Sequence, residues 1–382
     1  MNLEEIVQQT KTYYCLECGK CSSMCPISKY DPKYSPRVMV EEGLLGLQDD
    51  LVYNKKLFSC LGCLACQSKC PSDVDYINFV REARGLATAA KQHGDYAHAG
   101  AMQSITTIMA RPSVKQNRLQ WLQNNGCKIK QTGEVMYFVG CAPYIEALME
   151  DIPSQPLTAA ASALKLLNAV GIEPVVSPNE KCCGHDMLWL GEVETFKKLA
   201  EHNAAMIKES GVKKIVFSCP EGYRTFKMDY PNVVKLDCEV VHISEVLAEK
   251  VESGALKFKE LKKKVTFQDP CRLGRHMGVF DAPRKVLAAI PGLELIEMPH
   301  NREESICCGT SCFTNCDSYS KQIRVDRLSE AKATGAEILV TACPKCQTHF
   351  KCAMLNKGEV KGPDLQMEVM DLVNIAANAM GG

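Results

Sequence analysis

The sequence predicts an α/β protein in three parts: a helical, cysteine-dense N-terminal domain, then two duplicated α/β domains, each built on a small parallel sheet. Three observations predict it. Eight of the 22 cysteines fall within residues 15–70. From about residue 134, short apolar runs alternate with helical stretches, which implies parallel strands joined by helical crossovers. The order of those elements then recurs at a near-constant offset, the mark of a duplication.

The N-terminal domain is expected over residues 1–85. Between its cysteine groups, Val38, Val40, Leu44, Leu45 and Leu47 suit one or two short helices broken at Gly43 and Gly46. Residues 86–133 have helical composition around a single proline, Pro112, and read as a helical linker. The first α/β domain, 134–258, opens with EVMYFVG and Cys141. It continues through LTAAASALKLLNAVG and EPVVSP to Cys182-Cys183-Gly184, and through a helix and KKIVFS to Cys219-Pro220. The second, 259–382, runs KVTFQDP and Cys271, a helix from about Asp281, LELIEMP, Cys307-Cys308-Gly309, a helix, and AEILVTA before Cys343-Pro344. The offsets are 130 for the lone cysteine, 125 for the double cysteine and 124 for Cys-Pro. In open parallel sheets ligands lie beyond the carboxyl ends of strands, which is where these cysteines fall.

Lysine plus arginine equals aspartate plus glutamate, 45 each, so the net charge is zero. That balance offers no bulk attraction for nucleic acid and weakly favours life inside a complex. The start MNLEEIVQQT lacks the basic residues and apolar run of a signal peptide. The most apolar stretch, Leu157 to Val170, is broken by Lys165 and too short for a bilayer. The expectation is a cytoplasmic protein with no direct membrane span, any membrane association coming through a partner. In such a chain 22 cysteines point to metal, clusters or redox chemistry rather than disulfides. No Gly-x-Gly-x-x-Gly opens a helix and no Walker-type loop is present, so neither flavin nor nicotinamide is expected here. Electrons must then come from a donor subunit.

Two motifs carry the most specific signal: Cys15-x2-Cys18-x2-Cys21-x3-Cys25-Pro26 and Cys60-x2-Cys63-x2-Cys66-x3-Cys70-Pro71. This is the spacing of bacterial two-cluster ferredoxins, in which three closely spaced thiolates wrap one [4Fe–4S] cube and the fourth serves the other. By that rule Cys15, Cys18, Cys21 and Cys70 hold one cluster, and Cys60, Cys63, Cys66 and Cys25 the other. Zinc is the alternative for CxxC pairs, but a twice-repeated four-cysteine run ending in Cys-Pro has no zinc logic.

In the C-terminal part, Cys271-x35-Cys307-Cys308-Gly309-x33-Cys343-x2-Cys346 offers five thiolates where a cubane needs four. With DPCRLGRHMGVFDAPR, CCGTSCFTNCD and TACPKCQTHF, this stretch resembles the cysteine-rich CCG domain of heterodisulfide reductases. The whole layout is similar to their D subunit, a fusion of a ferredoxin-like C subunit with a CCG-bearing B subunit. The resemblance implies a non-cubane [4Fe–4S] cluster on Cys271, Cys307, Cys308, Cys343 and Cys346, which cleaves a disulfide in one-electron steps. It also implies a donor, either a flavin-containing A-type subunit or a membrane cytochrome b. The first half departs from the pattern: Cys141, Cys182, Cys183 and Cys219 are present, but Gly222 stands at the fifth position. A [4Fe–4S] cluster is still expected there, with its form open between cubane and non-cubane.

Among weaker candidates, Cys312 and Cys316 read as packing cysteines, with spare cluster ligands the alternative, and Cys127, Cys238 and Cys352 as buried structural ones. His185, His276 and His349 lie beside cluster motifs, placed either to donate a proton or to hydrogen-bond a cluster sulfur. Arg272, Arg275 and Lys345 can neutralise either an anionic cluster or a carboxylate-bearing substrate. The expected function is an iron–sulfur oxidoreductase subunit passing electrons from the two N-terminal clusters to CCG clusters that reduce a disulfide or comparable acceptor. The alternative is a non-catalytic relay in a large redox assembly, such as a benzoyl-CoA reductase or hydroxy-acid dehydrogenase complex.

Overall fold

The computed structural model describes residues 1–123, 125–355 and 365–380; residue 124 of the linker and residues 356–364 and 381–382 of the C-terminal part lie outside the described residues. Short helices and turns fill the chain up to residue 123, and two parallel sheets follow. The first sheet comprises β1 (Val135–Phe138), β2 (Lys214–Phe217) and β3 (Glu239–His242), in that order. The second comprises β4 (Lys263–Gln268), β5 (Leu293–Leu295), β6 (Ile338–Thr341) and β7 (Glu368–Asp371), in the order β5–β4–β6–β7. All pairs are parallel.

The two sheets share one topology. In the first half Val175 bridges Met136 of β1, on the edge that β5 takes beside β4 in the second. The EPVVSP run makes only isolated bridges, from Val175 to Met136 and to Lys130, because Pro174 and Pro178 frame it and lack the N–H that a ladder needs. The central strands are buried, as parallel strands covered by helices must be. The halves interlock. Helix Pro156–Ala169 packs on helix Leu372–Met380, and helix Ile243–Glu252 on helix Asp281–Ala288.

The N-terminal helices correct one detail of the sequence pattern. Ser35 caps helix Pro36–Leu44 by accepting from the Val38 N–H, and Pro36 takes the first helical position. Gly43 lies inside this helix rather than breaking it. A Cβ there would stand 2.8 Å from the Phe79 ring, so glycine serves close packing. Gly46, at φ +69°, ends the turn before helix Gln48–Val52. Of the five apolar residues, only Val40 is buried; Val38, Leu44, Leu45 and Leu47 are exposed. Helix Tyr76–Ala89 runs through residue 85, and the linker beyond it holds helix Ala101–Met109 and short turns.

Asp371 closes β7 in a fully buried position. Burial pushes its carboxyl up to about 7, against one hydrogen bond from the Val373 N–H. The unfolded chain releases this proton near the ordinary carboxylate value, while the folded chain holds it until about 7. Stability is therefore withdrawn as pH rises across that window, by on the order of a few kcal/mol. Asp371→Asn is expected to flatten the fall in melting temperature between pH 4 and 7, measured anaerobically. Parallel curves for the two proteins would contradict it.

Candidate functional site

The N-terminal cysteines converge as two groups. Cys15, Cys18, Cys21 and Cys70 line one pocket, with Cys66 in its wall. Cys25 crosses to the other group: burial, with the nearby Cys63 and Cys60 thiols, pushes it up to about 12. Cys66 lies within electrostatic reach of Cys60, Cys63 and Cys25. The local backbone explains the shape. In both motifs the residue two after the first cysteine adopts positive φ, Glu17 at +52° and Gly62 at +55°. That turn aims its N–H at the sulfur, 3.4 Å from Cys15 Sγ and 3.3 Å from Cys60 Sγ. Cys18 is exposed, whereas Cys60, Cys63 and Cys66 are buried.

Each double cysteine lies in the connection between the edge of its sheet and a long helix, Val193–Ser210 in the first half and Ser318–Ala333 in the second. Gly184 (φ +81°) and Gly309 (φ +87°) take the left-handed conformation at equivalent positions. A Cβ on Gly184 would lie 2.8 Å from Phe196 Cδ2, and one on Gly309 would collide with the Ser320 carbonyl. The glycine therefore permits both the turn and the close approach of helices Val193–Ser210 and Ser318–Ala333.

In the second half all five thiols form one chain of contacts: Cys271 to Cys307, Cys307 to Cys308, Cys308 to Cys346, and Cys346 to Cys343. Hydrogen bonds from Cys307 and Cys346 pull Cys308 down to about 6. In the first half Cys141 contacts Cys182 and Cys182 contacts Cys183, with Cys219 in electrostatic reach of Cys183 and Cys141. A Cβ on Gly222 would stand 4.0 Å from Cys183 Sγ, so position 222 faces the site. The space is taken by Phe217, 3.0 Å from that Cβ, within a cluster that includes Phe138 and Phe226. The equivalent of Phe217 in the second half is Thr341. The first half has exchanged a fifth thiol for an aromatic wall.

The groups adjoin one another. Cys25 and Cys63 share the wall of a cavity of about 270 Å³ with Cys307. The loop carrying Cys63 is clamped onto the turn after Cys271. Arg275 donates to the Cys63 carbonyl (2.6 Å), His276 Nε2 reaches the Gly62 carbonyl (2.8 Å), and Arg272 donates to that same carbonyl. Arg272 also lies over the Trp189 ring, 4.4 Å from its centroid. Arg84, buried, ties the Leu57 and Cys60 carbonyls to that of Trp189. Cys219 and Cys343 bring the two C-terminal sites within electrostatic reach of each other.

Between those sites lies a buried ion network that the sequence pattern did not announce. Lys345 Nζ stands 2.5 Å from Asp186 Oδ1 and also pairs with Glu221. Burial disfavours its charge, but Asp186 and Glu221 outweigh that and hold its pKa well above the ordinary lysine value. Arg272 Nε donates to His185 Nε2 (3.1 Å), so His185 Nδ1 carries the hydrogen and donates to Asp186 Oδ1 (3.0 Å). Glu221 and Lys345 occupy equivalent positions, each following Cys-Pro. Superposing the two repeats would have exposed this opposite-charge pair in the sequence.

This geometry revises several weaker readings. Lys345, Arg272 and Arg275 satisfy internal acceptors, yet their charges still favour cluster-motif thiolates, Arg272 and Arg275 that of Cys271 and Lys345 those of Cys141 and Cys219. His185 and His276 join the network and the clamp, while His349 Nδ1 lies 3.4 Å from Cys308 Sγ. Cys312, at φ +55° and fully buried, faces His185 Nδ1 at 3.7 Å. Cys127 is half-buried against the Ala161 carbonyl, Cys238 is half-buried, and Cys316 is exposed. Among the described residues no cysteine is in a disulfide. Soft thiols gathered in fours and fives, with backbone N–H groups aimed at their sulfurs, fit iron–sulfur clusters.

Comparison with known proteins agrees. The CCG cysteine-rich domain matches residues 135–227 and 265–351, and a 4Fe-4S dicluster domain matches residues 11–74. The chain therefore carries iron–sulfur clusters. It is 31% identical to the D subunit of dihydromethanophenazine:CoB–CoM heterodisulfide reductase from Methanosarcina barkeri, over 75% of this chain and 69% of that one. The same subunit from Methanosarcina mazei is 33% identical over 70% of this chain and 64% of its own length. The chain thus spans about two thirds of these relatives. The B subunit of fumarate reductase (CoM/CoB) from Methanothermobacter marburgensis is 26% identical over 98% of this chain and 74% of that one. The crystal structure of a hypothetical Helicobacter pylori protein superposes over 100% of this chain and 77% of that one, with TM-score 0.59 at 13% identity, a likeness of fold alone.

Proposed function

The chain belongs to the D-subunit family of heterodisulfide reductases, and from that premise we propose that it is the cluster-bearing subunit of a complex that reduces a disulfide or comparable acceptor. Four cluster sites are assigned: Cys15, Cys18, Cys21 and Cys70; Cys25, Cys60, Cys63 and Cys66; Cys141, Cys182, Cys183 and Cys219; and Cys271, Cys307, Cys308, Cys343 and Cys346. The first two take [4Fe–4S] cubes, the five-thiol site a non-cubane [4Fe–4S] cluster, and the four-thiol site of the first half a cubane. When bound, these groups supply one-electron chemistry between the protein surface and the acceptor.

The single observation that carries the reading is the cavity wall shared by Cys25, Cys63 and Cys307. It makes the inner ferredoxin-type site a direct neighbour of the five-thiol site. The chain's own residues hold that neighbourhood in place through Arg272, Arg275 and His276. The donor is proposed to dock at the outermost site, where Cys18, Tyr13, Tyr14 and Leu16 are exposed together. It is a flavin-containing A-type subunit or a membrane cytochrome b. Among the described residues no helix is long and apolar enough to cross a membrane, which suits either.

A specific observation favours the relay alternative at one site. The aromatic wall at Gly222 and the ion network fill the space around the first half, which suits a site that passes charge without binding an acceptor. The test is stoichiometric: anaerobic protein, reduced chemically, is mixed with a small disulfide. Loss of disulfide matching the electrons stored supports catalysis. Intact clusters with no disulfide consumed would leave the relay.

A further inference from the structure

A second cavity, of about 200 Å³, adjoins the five-thiol site through Thr310 and His349 and contains polar groups that nothing among the described residues satisfies. Its lining includes Thr310, Arg324 and His349, which are 6%, 2% and 3% exposed. Thr310 Oγ1 and His349 Nε2 have no hydrogen-bond partner among the described residues. Arg324 contacts the Ser320 carbonyl through Nε (3.3 Å), Cys316 Sγ through NH2 (3.9 Å) and the Cys352 thiol. Asp151 lies in the same wall, yet no carboxylate among the described residues forms an ion pair with Arg324. A buried guanidinium is normally paired, because an isolated charge loses its hydration. His98 and Cys352 complete the part of the wall that matters here.

We propose that this cavity binds a small carboxylate that itself carries a hydrogen-bond donor, held against the five-thiol site. Arg324 supplies the planar fork that matches a carboxylate, and Thr310 Oγ1 donates to it as well. His349 defines the second requirement. The inference rests on the cluster reading, since a ligated Cys308 sulfur bears no hydrogen. His349 Nδ1 then carries the hydrogen toward that sulfur, and Nε2 is left as an acceptor. A hydroxyl on the ligand satisfies it. The volume, about 200 Å³, admits a molecule of on the order of ten heavy atoms or fewer. The ligand would thus contact a group that itself touches a cluster sulfur, which places it where binding perturbs the site's electronic signature.

The experiment uses the full chain with its clusters, prepared anaerobically, titrated calorimetrically with glycolate, acetate and glycolamide, with low-temperature EPR of the same samples. Glycolate is expected to bind with one equivalent and to alter the EPR signal assigned to the five-thiol site. Acetate, without the hydroxyl, is expected to bind about tenfold more weakly, and the neutral glycolamide not to bind. Arg324→Gln is expected to weaken glycolate binding by at least about thirtyfold with cluster signals retained. Thr310→Val, nearly isosteric, should weaken it several-fold, and it keeps the test open if Arg324→Gln fails to fold. Wild-type protein with a normal five-thiol-site signal and no glycolate binding would overturn the inference while leaving the cluster reading intact. Absence of that signal would instead overturn the cluster reading on which it rests.

Discussion

Lys345→Met is expected to cost about 3–5 kcal/mol of stability, because it strands two carboxylates in the interior. Asp186 and Glu221 are 4% and 7% exposed, and Lys345 is the cation that meets both. His185 Nδ1 also faces both carboxylates, 3.0 Å from Asp186 Oδ1 and 3.3 Å from Glu221 Oε2, and against burial they help raise its pKa to about 9, so it offsets part of the loss without matching Lys345. The loss comes from unpaired charge rather than from lost packing, since methionine conserves most of the side-chain volume. Removing the carboxylates as well, in Lys345→Met with Asp186→Asn and Glu221→Gln, should therefore restore much of the stability. Anaerobic thermal or denaturant melts check both steps. A triple variant no more stable than the single one would assign the loss to packing. The network joins helix His185–Leu190 of the first half to the Cys343–Cys346 turn of the second, so its rupture should also loosen the two halves from each other.

Cys308→Ser is expected to abolish the spectroscopic signature of the five-thiol site and to reduce disulfide turnover by on the order of a hundredfold or more, with the N-terminal signals retained. Cys308 is central in the chain of thiol contacts, touching both Cys307 and Cys346. It is also the thiol that His349 reaches. The equivalent change in the first half, Cys183→Ser, should remove a different signal. If turnover survives Cys308→Ser but not Cys183→Ser, the assignment of the two halves is reversed. Low-temperature EPR and disulfide assays on the same samples distinguish these outcomes.

The large-scale order of this protein was readable in the sequence because it is written in local patterns. Strand runs ending two or three residues before a cysteine recur in both halves, and the two sheets reproduce that recurrence strand for strand. The crossing of Cys25 to the group of Cys60, Cys63 and Cys66 is an expectation from spacing, and in the structure Cys25 lies within electrostatic reach of those three thiols. What spacing cannot show is contact between distant segments. The clamp from Arg272, Arg275 and His276 onto the Gly62–Cys63 loop joins residues more than two hundred positions apart. Arg272 and Lys345 looked like partners for a cluster or a substrate because they adjoin ligand motifs. Tertiary structure gives them acceptors from other elements as well, while the Arg272 charge still favours the Cys271 thiolate and the Lys345 charge those of Cys141 and Cys219. The reverse holds for Arg324, which lies within an ordinary helical stretch and stands out only once its missing counter-charge is seen. Apolar pattern misleads in the N-terminal domain, where Leu44, Leu45 and Leu47 are exposed on a small module with little interior to offer.

Iron and sulfide held on four thiol groups are the central requirement, and metal counting tests it most directly. Anaerobically prepared protein should contain about sixteen irons and as many acid-labile sulfides per chain, four for each cluster site. Zinc in place of iron, or about eight irons with none lost on substituting Cys183 or Cys308, would contradict it.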